Sequence, residues 1–208
     1  KTCNLRFLDP PCGCGNFLVI TYRELRQLEL ETLQALYGGQ KELTLDEVNR
    51  VSQVDVDQFY GIEIEEWPSR IAEVALWLVD HQMNQKISEE FGDYFARLPL
   101  KKATHIVNDN ALKLDWQTII APGQRSYIVG NPPFVGKSEQ SKQQKLEMKQ
   151  VFRDVKKSGV LDYVACWYAK AAELMVLNPS IATAFVSTNS ITQGEQVGVL
   201  WSELYRRG

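Results

Sequence analysis

Apolar and polar positions along this chain follow two alternating periods. Short apolar runs recur at Leu5–Asp9 (LRFLD), Phe59–Ile64 (FYGIEI), Thr104–Asp109 (THIVND), Tyr127–Asn131 (YIVGN) and Ile181–Ser187 (IATAFVS). Each is bounded by turn residues and predicts a buried strand. Between them the apolar positions return at helical spacing, over Phe17–Leu36, Ser69–Met83, Leu161–Leu177 and Glu195–Arg207. Gly38 and Gly39 close the first helix, and Pro68 suits the first turn of the second. Gln40–Gln58 is polar and predicts a short helix and a loop. Strands alternating with helices predict an α/β architecture, a mostly parallel sheet of about five strands covered by helices on both faces. In such sheets ligands bind at the carboxyl ends of the strands.

One stretch breaks the alternation. Lys137–Lys157 carries seven Lys/Arg against three acids and reads as nearly free of core residues. It predicts a phosphate-facing surface, with a solvated helix face or a loop as the plain alternatives. The rest of the composition is ordinary. The 208 residues are 44% hydrophobic and 24% charged with a net charge of -3, so no global basic field marks the chain. No apolar run is long enough to span a bilayer, and no signal segment opens the sequence. Cys3, Cys12, Cys14 and Cys166 are too few and too irregular for a disulfide framework. The expectation is a cytoplasmic, membrane-free protein, and a piece of a longer one.

The first strand runs into a glycine turn, FLDPPCGCGNFL, with Gly13 and Gly15 placed before a helix. Glycine serves where backbone turns tightly, and the following helix start offers free N–H groups and a positive dipole end. A dinucleotide fingerprint would continue with glycine at position 18, where Leu18 stands. A ligand without phosphates, with a ribose and a charged amino-acid tail, fits better. Asp9, at the end of the first strand, can face an ammonium. Glu63, at the end of the second, can accept from ribose hydroxyls. Its alternative is a solvated charge at a helix start. Asp109, at the third, can accept from an adenine amine or form a local Asx turn. Cys12 and Cys14 have poor zinc spacing, so no metal site is expected. His81 and His105 lie apart, with no nucleophile motif beside either.

The fourth strand ends in Asn131-Pro132-Pro133-Phe134, an amide held between a strand and two prolines beside an aromatic ring. FLDPPCGCGNFL, GIEI, VNDNAL and NPPF, in this order, resemble the motif series of the S-adenosylmethionine-dependent amino-methylating DNA methyltransferases, in the form used by the adenine-N6 members. LDYVACWYAKAAELM and IATAFVSTNSI resemble the motifs that follow. CGCGNFLVITYRELRQLE and DQFYGIEIEEWPSRIAEVALWLVDHQMN are similar to large bacterial proteins joining methylation to restriction in one chain. The resemblance implies a Rossmann-like class I methyltransferase fold, one catalytic domain over residues 1–208, and double-stranded DNA as partner. It implies cofactor contacts by Asp9, Pro10, Cys12, Gly13, Gly15, Asn16, Phe17, Glu63, Ile64, Asp109, Asn110 and Asn131, and catalysis by Asn131, Pro132, Pro133 and Phe134.

The chemistry of the loop follows. An exocyclic amine is a poor nucleophile because its lone pair is delocalised into the ring. Two acceptors aimed at its hydrogens, the Asn131 side-chain oxygen and the Pro132 carbonyl, draw the nitrogen toward tetrahedral. The prolines fix φ and remove donors, which stiffens the loop. Phe134 stacks on a base that has left the duplex. The sequence also departs from the pattern. A further cofactor segment upstream, two more strands and a target-recognition region are not in the chain. Methylation of a protein glutamine or an RNA base, a non-catalytic DNA-binding subunit, and a nicotinamide oxidoreductase are the competing readings. Leu18 and the long interval from Gly15 to Glu63 count against the last.

Overall fold

The computed structural model describes residues 4–37, 52–91, 104–121 and 126–207. The five apolar runs become β1 (Arg6–Asp9), β2 (Phe59–Glu63), β3 (His105–Asn108), β4 (Ser126–Gly130) and β5 (Ala182–Phe185). The first two helical stretches become α1 (Asn16–Tyr37) and α2 (Glu66–Phe91), the basic stretch adds α3 (Lys142–Val151), and the last two become α4 (Ala165–Leu177) and α5 (Gln196–Arg207). The sheet order is β3-β2-β1-β4-β5, and every pairing is parallel. The order reverses at β1, so β1 and β4 flank the switch point where such sheets open a crevice. Gly38, Gly39 and most of Gln40–Gln58 lie outside the described residues; Val56–Gln58 forms a single 3-10 turn.

The pleat sorts the side chains. Phe7 pairs in register with Phe59 and Tyr127, and its ring stacks on both, at 5.1 and 5.4 Å. This face packs with Leu18 and Tyr22 of α1 and Ala72, Leu76, Val79 and Met83 of α2, whose spacing is that of one helix stripe. Leu8, Ile62 and Ile128 face the other way, onto a second cluster with Phe152, Leu161, Trp167, Leu174 and Leu200. α2 runs on to Phe91, because Ile87 and Phe91 extend its buried stripe against Leu30 and Leu33 of α1. Helices therefore cover both faces of a parallel sheet, as the alternation of periods predicts.

The basic stretch differs from its expectation. It is built around a capped helix and contributes to the core: Gln140, Glu147, Met148 and Phe152 are buried. Ser141 caps α3, its hydroxyl accepting from Gln144 N at 3.2 Å while Gln144 Oε1 accepts from Ser141 N at 2.9 Å. Glu147, Met148 and Val151 share a helix stripe with Gln144, a spacing of three and four residues that the density of lysines obscures. Lys142, Lys145 and Lys149 remain on the exposed side.

Candidate active site

The carboxyl ends of β1, β2, β3 and β4 gather acids and amides at one edge of the sheet. A cavity of about 430 Å³ opens there, lined on the strand side by Pro10, Pro11, Glu63, Ile64, Asp109, Asn110, Asn131 and Pro133. Glu63 joins two turns. Its Oε2 accepts from Gly13 N at 2.9 Å and its Oε1 from Glu65 N at 2.9 Å. A carboxylate has about four acceptor directions, so two remain for a ligand. Asp109 is exposed, and its Oδ1 accepts from Asn110 N at 2.6 Å. It lines the cavity, while the Asx turn at this tip is made by the next residue, Asn110, whose Oδ1 accepts from Leu112 N at 2.9 Å.

Asp9 is 1% exposed, and its Oδ1 has no hydrogen-bond partner. Burial, with Glu63 adding a like charge, pushes its carboxyl up to about 8. A buried carboxyl with an orphaned oxygen is costly unless something meets it. Gly130 makes room for it: a Cβ at this position would sit 2.6 Å from Asp9 Oδ1 and 3.0 Å from Pro11 Cδ.

The glycine turn divides its work. Gly13 and Gly15 have φ of 54° and 83°. A Cβ on Gly15 would lie 3.0 Å from Ala72 Cβ, so this glycine lets α1 start against α2. Its small size serves packing between helices. Cys12 is buried with its Sγ against Gly61, and burial raises its thiol well above the usual range. It does not line the cavity; neither do Asp9, Gly13, Gly15, Asn16 and Phe17. Asn16 and Phe17 are exposed at the start of α1.

The Asn131–Phe134 loop follows directly on β4 and has no regular secondary structure. Pro132 is buried, whereas Asn131, Pro133 and Phe134 are exposed, Phe134 to 44%. Among the described residues none hydrogen-bonds the Asn131 side chain or the Pro132 carbonyl. The loop is tied down just beyond. Val135 O accepts from Tyr163 N at 2.9 Å, and Asp162 Oδ1 accepts from Lys137 N at 3.2 Å. Asp162 Oδ2 takes Ser190 Oγ and Gln196 Nε2, both at 2.7 Å.

Sequence reasoning missed the opposite wall of the cavity: Gln143, Gln144, Glu147, Tyr163 and Trp167. Trp167 is buried, and its Nε1 has no partner. Glu147 Oε1 accepts from Asn110 Nδ2 at 2.8 Å, and its Oε2 accepts from the Tyr163 hydroxyl. The signal was a lone acid, Glu147, on the buried stripe of a lysine-rich helix. His81 and His105 are exposed and away from the cavity, His105 stacking on Tyr60 at 4.6 Å.

Comparison with known proteins gives the family and the fold. The family described as "MmeI, DNA-methyltransferase domain" matches residues 1–208. DNA methyltransferase A of Bacillus subtilis (strain 168) is 42% identical over 98% of the chain, which corresponds to 23% of that relative. The solved structure of the Type IIL restriction-modification enzyme MmeI in complex with DNA is 57% identical over 100% of the chain and 28% of its own, with a TM-score of 0.93. A nuclease-deletion mutant of the Type ISP enzyme LlaGI shares the fold, at 16% identity and a TM-score of 0.59 over 98% of this chain and 17% of its own. The chain thus spans about a quarter of the length of the relatives it resembles in sequence.

Proposed function

The chain belongs to the MmeI DNA-methyltransferase domain family, and from that premise we propose that it transfers a methyl group from S-adenosylmethionine to the N6 amine of an adenine turned out of double-stranded DNA. The observation that carries the reading is that Asn131 and Pro133 line the same cavity as Glu63 and Asp109. An amide with an unengaged oxygen stands beside acids suited to a ribose and a purine amine.

The cavity fits the methyl donor. Outside the residues that line it, the orphaned, buried Asp9 oxygen suits a cationic tail, and the first-turn N–H groups that a helix leaves without intrahelical partners, at the start of α1, suit a carboxylate. Glu63 has acceptor capacity left for ribose hydroxyls, and Asp109 for the purine amine. The volume lies in the range of small-molecule sites. When bound, the donor supplies an electrophilic methyl on a positively charged sulfur.

The loop does the orienting. Asn131 Oδ1 and the Pro132 carbonyl accept from the two hydrogens of the target amine and free its lone pair. Phe134, exposed and next to Pro133 of the cavity lining, stacks on the extruded base. Two prolines and the Asp162 and Tyr163 anchors hold these groups in place, and catalysis then rests on orientation. Target recognition, and any cleavage that would complete a restriction-modification system, belong to other parts of the parent protein. The setting is the cytoplasm, where both DNA and methyl donor are found; among the described residues no helix is long and apolar enough to cross a membrane.

The test is to express the full-length chain in a host without adenine methylation and quantify N6-methyladenine in digested DNA by mass spectrometry. A signal absent from an Asn131→Ala variant that still binds cofactor is expected. No signal from a folded, cofactor-binding parent would overturn the assignment in favour of a protein or RNA amide.

A further inference from the structure

Glu147 is the one acid of α3, and it is turned inward. It is 3% exposed, while Lys142, Lys145 and Lys149 of the same helix are exposed. Its carboxylate sits at the cavity wall and gathers neutral donors. Oε1 accepts from Asn110 Nδ2 at 2.8 Å and Gln143 Nε2 at 2.9 Å, and Oε2 from the Tyr163 hydroxyl. Removing a carboxylate from water is costly, and hydrogen bonds from three side chains are what offsets it here. The hydroxyl of Tyr163 answers to the same contact: burial, and then the bond to Glu147, raise its ionisation well above the ordinary phenol range, so it stays a donor.

Asn110 is what this arrangement holds. Its Oδ1 accepts from Leu112 N at 2.9 Å, and its own N–H donates to Asp109 Oδ1 at 2.6 Å. A continuous run of hydrogen bonds therefore leads from Tyr163 through Glu147 and Asn110 to Asp109. Asp109 Oδ2 takes no hydrogen bond from a described residue.

We propose that Glu147 is a positioning residue for the purine end of this cavity: by clamping Asn110 it fixes where Asp109 presents its open oxygen, and so sets the preference for a 6-amino over a 6-oxo purine. The proposal rests on the reading of the cavity as the methyl-donor pocket. A 6-amino group donates to that oxygen. A 6-oxo group would set a carbonyl against a carboxylate, two acceptors with no proton between them. A fixed carboxylate rejects the second; one whose turn is released can move aside and accept both. A role in stability alone would lower the melting temperature of Glu147 variants and leave the preference untouched.

The experiment uses the full-length chain and two probes, S-adenosylhomocysteine and its deaminated inosine counterpart, with dissociation constants from calorimetry. The parent is expected to prefer the adenine form by about tenfold or more. Glu147→Ala, or Glu147→Met should the smaller residue prevent folding, is expected to bring the two within about twofold. Glu147→Gln is expected to keep the preference, because its amide oxygen can take the Asn110 and Gln143 donors while its NH₂ donates to Tyr163. A parent that shows no preference would overturn the reading of Asp109 and the proposal with it. A parent that discriminates, with Glu147→Ala or Glu147→Met unchanged, would overturn the role of Glu147 alone.

Discussion

The backbone N–H of Gly13 donates to Glu63 Oε2 at 2.9 Å, which makes the glycine turn after β1 and the tip of β2 one unit across 50 residues of chain. Glu63 Oε1 takes Glu65 N at the same distance, so both oxygens hold backbone. Glutamine is then a poor substitute. Its NH₂ would face one of the two N–H groups, and the mismatch is expected to cost about 1–3 kcal/mol of folding stability in urea denaturation. Glu63→Ala is expected to weaken S-adenosylmethionine about tenfold to a hundredfold by calorimetry. Unchanged affinity would remove Glu63 from the ribose site.

Asp9 makes stability depend on pH. Its folded carboxyl, pushed up to about 8 by burial and then by Glu63, holds a proton that the unfolded chain releases near 3.8. The folded state therefore binds more protons between those values. Stability is full below about 4 and falls as pH rises toward about 8. The fall is on the order of a few kcal/mol. Asp9→Asn removes that titration. Thermal denaturation of the ligand-free protein should show parent and variant diverging as pH is raised from 5 to 8, the variant losing less. Parallel curves would mean that Asp9 does not titrate in this window.

The periods of two and of three to four residues carried the architecture into view because strands and helices here bury opposite kinds of stripe. Phe7, Phe59 and Tyr127 mark one sheet face, and Ala72, Leu76 and Met83 the helix upon it. The strand tips were legible for the same reason, since Asp9, Glu63, Asp109 and Asn131 each follow an apolar run. Two things were not. Gly15 packs against Ala72, 57 positions along the chain, and sequence order does not encode that approach. Glu147 and Tyr163 were hidden by context. One lies among lysines, the other just before a helix, and only the fold brings them to Asn110.

The outer side of α3 offers a test of how DNA is held. Lys142, Lys145 and Lys149 are exposed and lie three and four positions apart, on one side of a helix that follows the Asn131–Phe134 loop in the chain. Each lysine that neutralises a phosphate contributes about 0.9 to the slope of log affinity against log salt. Replacing all three by glutamate should flatten that slope by about 2–3 in fluorescence anisotropy titrations of the full-length protein. Cofactor binding should be unaffected, because the three lysines are absent from the cavity lining. An unchanged slope would make this side of α3 a solvated face.

Phe134 separates catalysis from folding. It is 44% exposed, so removing its ring creates no internal cavity, and Phe134→Ala should change stability by less than about 0.5 kcal/mol. Its task in the proposed reaction is to stack on the extruded adenine, and base stacking on an aromatic ring is worth about 1–3 kcal/mol. Turnover on a fully paired target should therefore fall about tenfold to a hundredfold. The same variant should lose less on a target whose adenine sits in a mismatch, because an unpaired base leaves the duplex at lower cost. Asn131→Ala should show no such relief, since its oxygen acts on the amine after the base has left the stack. Single-turnover rates on paired and mismatched duplexes distinguish the two residues. Equal losses for Phe134→Ala on both duplexes would mean that the ring does not support the flipped base.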